Sequence, residues 1–246
     1  MSKSSKSLTE SVYQSLRDDM LTYRIKPATK LNIASLAAER GVSLSAVREA
    51  LARLSSDGFV IPQPRRGFRV AAVSREDLLD LTEQRVSIES QCLERSIRHG
   101  DVAWEGRILA ALHELSRTPA RLRDGFNPDW ITAHTRFHGT LVEACDSPWL
   151  LRIRELLYSH SERYRVLSIR IDRPHLDTEH HDIAEAVIGR DTQRAVALLT
   201  EHVQLTARII LENEDQVSIF EQFSGEEEQR RYVAEQFKMR LPQWEA

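Results

Sequence analysis

The sequence predicts a mainly α protein in two parts: a winged helix-turn-helix of three helices and a two-stranded wing, then an all-helical bundle. Three observations predict it. Apolar residues recur at helical spacing along most of the chain. Short β-rich runs appear in one place, as "FVIPQ" and "GFRVAAV". Charge divides at the same point. Residues 1–74 hold 12 Lys and Arg against 6 Asp and Glu, a surplus of +6, and 22 against 31 in the remainder leave it at −9. A basic head on an acidic body suits one part that meets a polyanion and one that does not.

The elements follow in order. "TESVYQSLRDDMLTY" (9–23) places Val12, Leu16, Met20 and Leu21 at helical spacing, and Pro27 prevents continuation. "NIASLAAERG" makes a short second helix with Ile33, Leu36 and Ala37 inward and Gly41 after its end. After a "GVS" turn, "SAVREALARLSSDG" forms the third, capped by Ser43 or Ser45 and ended by Gly58, with Val47, Leu51 and Leu54 inward. The two β-rich runs, joined by "PRR", form the hairpin wing.

A break falls at "VAAVSRED", where Ser74 and Asp77 make a capping-box pattern opening a helix to about Arg98. Helices are then expected at 102–117, 128–145, 148–170, 175–189 and 192–213, with no further strands. Asn127 and Ser147 each precede a Pro at the first helical position, and Asp191 caps the last of these segments. The domains are therefore 1–73, 74–214 and a tail, 215–246. The tail either forms one amphipathic helix bearing Tyr232, Val233, Phe237 and Leu241, or stays unstructured.

Composition narrows the function classes. Of 246 residues, 41% are hydrophobic and 29% charged, as in ordinary globular chains. No apolar run reaches the roughly 18 residues that a membrane span needs. "MSKSSKSLTE" has no apolar core of a signal peptide. Cys92 and Cys145 sit among apolar residues and read as buried thiols, so a cytoplasmic location is expected.

The head has the chemistry of a DNA reader. Two short helices and a tight turn allow the second to enter a major groove. Arg48 lies in the first turn of that helix, where side chains reach base edges and a guanidinium matches guanine O6 and N7. Ser43 and Ser45 flank the same helix start. Arg65, Arg66 and Gly67 form the wing tip, placed for phosphates or a minor groove.

The stretch "VSLSAVREALARLSSDGFVIPQPRRGFRV" resembles the GntR family of bacterial transcription regulators, and the likeness covers nearly all of residues 9–72. That resemblance implies double-stranded DNA as partner. Of the family's operator-contacting arginines, one falls on Arg48. Ala34 and Leu44 stand where the other two are usual.

Histidines are the notable feature of the body. His134 and His138 lie four apart in "HTRFHGTLVEAC", followed by His180 in "TEHHDIAEAV" and His202 in "LLTEHVQLTA". Residues four apart share a helix face. Spacing alone leaves two readings, scattered polar residues or convergence on one divalent ion inside a bundle. Thr135 occupies the glutamate position of an HExxH motif, so a zinc-protease reading fails.

Residues 76 to about 212 resemble the FadR-type C-terminal ligand domain, through "HTRFH", "EHHDI" and "EHV". That likeness maps metal ligands onto His134, His138, His180 and His202. The first position is usually Asp, so His134 is a departure. Exchanging carboxylate for imidazole tilts the expected ion toward zinc or nickel. The resemblance further implies a small organic acid as effector, with Arg85, Arg163 and Tyr164 as candidate contacts. It also implies a homodimer on a roughly palindromic operator.

The expected function is a ligand-responsive transcription regulator, a repressor by family habit, and not an enzyme. Two alternatives stand beside it: a metalloenzyme using the histidines, and an architectural DNA-binding protein with no effector.

Overall fold

A computed structural model of the protein describes residues 8–63, 67–122, 125–168 and 176–213. The chain separates into two compact units that divide between Arg75 and Glu76.

In the first unit, α1 (Leu8–Leu21) buries Val12, Tyr13, Leu16, Met20 and Leu21. A β1 strand (Lys30–Leu31) leads into α2 (Ile33–Arg40). Asn32 caps α2 by accepting from the amides of Ala34 and Ser35, and Gly41 ends it at φ 62°, a conformation that glycine adopts without steric cost. Of the two candidate serines, Ser43 caps α3 (Leu44–Ser56), accepting from the Ala46 amide at 3.2 Å. Helices α1 and α3 pack together. Tyr13 donates to Asp57 at 2.7 Å, and Arg53 reaches Glu10 at 2.6 Å while lying over the Tyr13 ring.

β2 (Val60–Gln63) and β3 (Gly67–Val70) pair antiparallel, with Val60 opposite Val70. The wing departs from expectation in one respect. It has three strands, because β1 pairs with the free edge of β3 through Lys30↔Arg69 and Leu31↔Phe68. A two-residue strand carries no alternation for sequence reasoning to detect. Pro62 is tolerated because β2 is an edge strand. Arg65 and Arg66 lie outside the described residues, as does the 215–246 tail.

The second unit is helical: α4 (Arg75–His99), α5 (Val102–Arg117), α6 (Pro128–Val142), α7 (Pro148–Ser168), α8 (Leu176–Ile188) and α9 (Thr192–Glu212). Asp101, Asn127 and Asp191 cap α5, α6 and α9 with their side chains. Contrary to the sequence expectation, β4 (Arg121–Leu122) and β5 (Gly125–Phe126) form a short antiparallel pair between α5 and α6. These too are below the length at which a strand shows a pattern. α6 stops at Val142, ahead of Asp146, which takes a left-handed φ of 52°.

α5 packs on α6 and α8, and α9 on α7 and α8. The core between them holds Trp104, Ile108, Phe137, Ile183 and Leu199. Trp104 is buried with its indole N–H satisfied by the Thr140 carbonyl at 2.8 Å, which ties α5 to α6. None of the described helices is long and apolar enough to cross a membrane.

Candidate metal centre

Three helices bring four histidines together. His134 and His138 project from α6, His180 from α8 and His202 from α9. Each is at most 4% exposed. Their candidate donor atoms all lie within 4.8 Å of one another. Nε2 of His134 and Nε2 of His138 are 3.2 Å apart. Tetrahedral zinc, with Zn–N of about 2.05 Å, separates its nitrogens by about 3.3 Å. The residues therefore fit a divalent ion of the imidazole-preferring class.

The rings are held from behind. His202 Nδ1 lies 2.7 Å from Oε2 of Glu179. An ionised carboxylate only accepts, so Nδ1 carries the proton and Nε2 keeps its lone pair. His134 Nδ1 meets the Tyr158 hydroxyl at 3.0 Å. His138 Nδ1 is buried without a hydrogen-bond partner among the described residues. Burial, reinforced by the Arg165 charge and the neighbouring rings, holds His134 well below the ordinary histidine range. Burial also depresses His138, joined by His202, His180, Arg85 and Arg154. Both rings are thus neutral, the form that coordinates metal.

A buried ionic shell adjoins the cluster. Arg85 and Glu89, four apart on α4, pair at 2.5 Å. Arg154 of α7 reaches the other Glu89 oxygen at 3.6 Å. Arg165 grips both oxygens of Glu162. All five residues are at most 5% exposed. Burial alone would raise the Glu89 carboxyl, but Arg85 and Arg154 outweigh it and hold it below the usual range. Tyr158 is the hinge of the arrangement, with the guanidinium carbons of Arg154 and Arg85 at 4.2 and 4.7 Å from its ring centre. Burial pushes the Tyr158 hydroxyl up to about 12, helped by Glu162.

Of the expected effector contacts, Arg85 falls in this shell. Arg163 and Tyr164 turn toward Asp77 instead, at 3.4 and 2.5 Å. Sequence reasoning missed Arg154, Tyr158, Arg165 and Glu179. The first three share an α7 face at i, i+4 and i+11, a stripe that ordinarily marks solvent.

In the head, Arg48 is exposed and starts the second turn of α3, one turn beyond exposed Leu44. The Ser45 hydroxyl is 2.9 Å from that of Ser43. Ala34 is exposed near the start of α2, and Gly67 opens β3 at φ 89°.

Residues 8–70 match the gntR family of bacterial regulatory proteins, and residues 80–205 match the FCD domain. This chain belongs to the GntR family. It is 35% identical to the HTH-type transcriptional regulator BphR of Paraburkholderia xenovorans, over 83% of this chain and 86% of that protein. It is 31% identical to the HTH-type transcriptional repressor GlaR of Escherichia coli, over 80% and 93% respectively. McbR/YncC of E. coli shares the fold at a TM-score of 0.71, with 21% identity over 85% of this chain and 99% of that one. As a GntR-family protein with an FCD domain, it is a DNA-binding transcription regulator and not an enzyme.

Proposed function

We propose that this GntR regulator is a repressor whose FCD domain holds a divalent ion, zinc or nickel, on His134, His138, His180 and His202. A small organic acid binds beside that ion and changes the affinity of the winged helix for DNA. The single observation that supports this is the convergence of four buried imidazoles from three helices within 4.8 Å. A bound divalent ion would supply positive charge, and one that expands beyond four ligands, as zinc can, would leave a position for a carboxylate beside the four imidazoles. The four imidazoles orient it, Glu179 and Tyr158 fix two of the rings, and Arg85 adds a cation to the surroundings. An effector acts only through different affinities for the DNA-binding and released states.

At the DNA, Arg48 reads a base edge, while Ser43, Ser45 and the Arg65–Gly67 wing tip contact the backbone. The regulator acts as a homodimer on a roughly palindromic operator. An apolar stripe on α7 supports this, since Trp149, Ile153 and Leu156 are exposed at i, i+4 and i+7.

Metal analysis of the purified protein, with fluorescence anisotropy on DNA from upstream of its own gene, tests the proposal. About one zinc or nickel per chain is expected, lost on His138→Ala together with His180→Ala, and organic acids should weaken DNA binding. Metal-free protein that binds operator DNA with no response to any acid would overturn it.

A further inference from the structure

We infer that the acid held beside the histidines is a dianion, with one carboxylate at the ion and the second taken by Arg154 and Arg165. This rests on the proposed metal and acid site and names the ligand class it selects.

Among the described residues, Arg85, Arg154 and Arg165 face only two buried carboxylates, Glu89 and Glu162; the third carboxylate they meet, Glu155 at 3.4 Å from Nη1 of Arg154, is 63% exposed and screened by water, so it offsets little charge inside. Arg163 does not add to this surplus, because Asp77 neutralises it. A divalent ion on four neutral imidazoles brings two more positive charges, and Glu179 beside His202 offsets one. Among the described residues, two positive charges then lack a buried counter-charge in a water-poor interior, where an unpaired charge is costly. A monocarboxylate leaves one of them. A dicarboxylate leaves none.

Glu89 is shared between Arg85 and Arg154, and both Glu162 oxygens are occupied by Arg165. Nε and Nη2 of Arg154 and Nη1 of Arg165 are nevertheless buried without a hydrogen-bond acceptor among the described residues. Nη2 of Arg154 has only its longer ion pair to Glu89 at 3.6 Å. Nε and Nη2 form the guanidinium edge that pairs with a carboxylate through two parallel bonds. Both guanidiniums are at most 4% exposed, so water does not readily satisfy them.

Arg154 stacks on the Tyr158 ring at 4.2 Å, and the hydroxyl of that ring bonds His134 at 3.0 Å. Arg165 lies over Trp130, whose ring in turn packs on His134 at 4.6 Å between centres. One aromatic ring thus stands between the same histidine and each guanidinium that carries an unmatched N–H group.

Isothermal titration of metal-loaded full-length protein with succinate and with butyrate tests this, because the two share a four-carbon chain and differ by one carboxylate. Succinate should bind at least about tenfold more tightly, as expected for one added charge-assisted contact. Arg154→Met should abolish that preference, with metal content read by mass spectrometry on the same samples so that only metal-loaded protein is compared. Equal affinity for the two acids in the unsubstituted protein overturns the inference even if Arg154→Met does not fold. So does a variant that keeps the preference. Butyrate binding as tightly as succinate to metal-loaded protein leaves the metal site standing and removes only the dianion. Protein that takes up no metal and binds neither acid removes both.

Discussion

Glu179 grips Nδ1 of His202 at 2.7 Å and so decides which nitrogen of that ring faces the other three imidazoles. Carboxylates placed behind ligating histidines commonly contribute about 10–100-fold in metal affinity. Glu179→Ala should therefore weaken metal binding by that order, measured by competition with a chromogenic chelator. Affinity equal to that of the unsubstituted protein would show that the pair only positions α8 against α9.

Because the proposed ligands come from α6, α8 and α9, metal binding there would be linked to the stability of the helical unit. An ion present at about 1,000 times its Kd stabilises the state that binds it by about 4 kcal/mol. Stripping with a chelator should lower the melting temperature, and zinc or nickel should restore it. His180→Ala should melt at the same temperature with or without chelator. A chelator-dependent shift surviving in that variant would place the ion elsewhere.

The head offers a cleaner substitution, since Arg48 is exposed on α3 and its loss removes no buried packing. Arg48→Ala should cost about 1–3 kcal/mol of operator affinity and reduce discrimination against altered sites. Weaker, salt-dependent binding to unrelated DNA should persist, because phosphate contacts supply it. Anisotropy titrations at two salt concentrations separate the two effects, and unchanged operator affinity would refute the role given to Arg48.

How legible the molecule was in its sequence depended on the length of each signal. The helices of both units announce themselves through repeated apolar spacing and side-chain caps such as Asn127 and Asp191. β1, β4 and β5 are two residues each and carry no period. The histidines were visible as a spacing of four on α6, but their convergence with His180 and His202 is a tertiary fact. The ionic shell was hidden for a different reason. Arg154, Tyr158, Glu162 and Arg165 make a polar stripe on α7, and such a stripe is normally the wet face. Here Glu89 and Glu162 let those guanidiniums go inside.

A glycine at the α4–α5 junction is fixed by packing. A Cβ added to Gly100 would stand 2.0 Å from Cε3 of Trp104. That indole is 1% exposed and is held by the Thr140 carbonyl, so it has little room to give way. Gly100→Ala should destabilise the protein by about 1–3 kcal/mol, the usual cost of overpacking. Denaturant titration measures it, and neutrality would mean that the indole shifts freely.

The two thiols are free and buried, and burial together with its neighbour Cys145 raises Cys92 from 9.0 to about 12. Thiolate is the reactive form, so the native protein should resist thiol reagents at pH 8, while the unfolded chain reacts fully at both cysteines. The same shift has a consequence for stability. Between pH 9 and about 12 the unfolded chain gives up a proton that folded Cys92 retains, and stability should fall as pH rises through that window. Cys92→Ser keeps a small polar side chain without that ionisation, so its alkaline unfolding curve should be less steep. Parallel curves for the two proteins would mean that Cys92 titrates no differently in the folded chain.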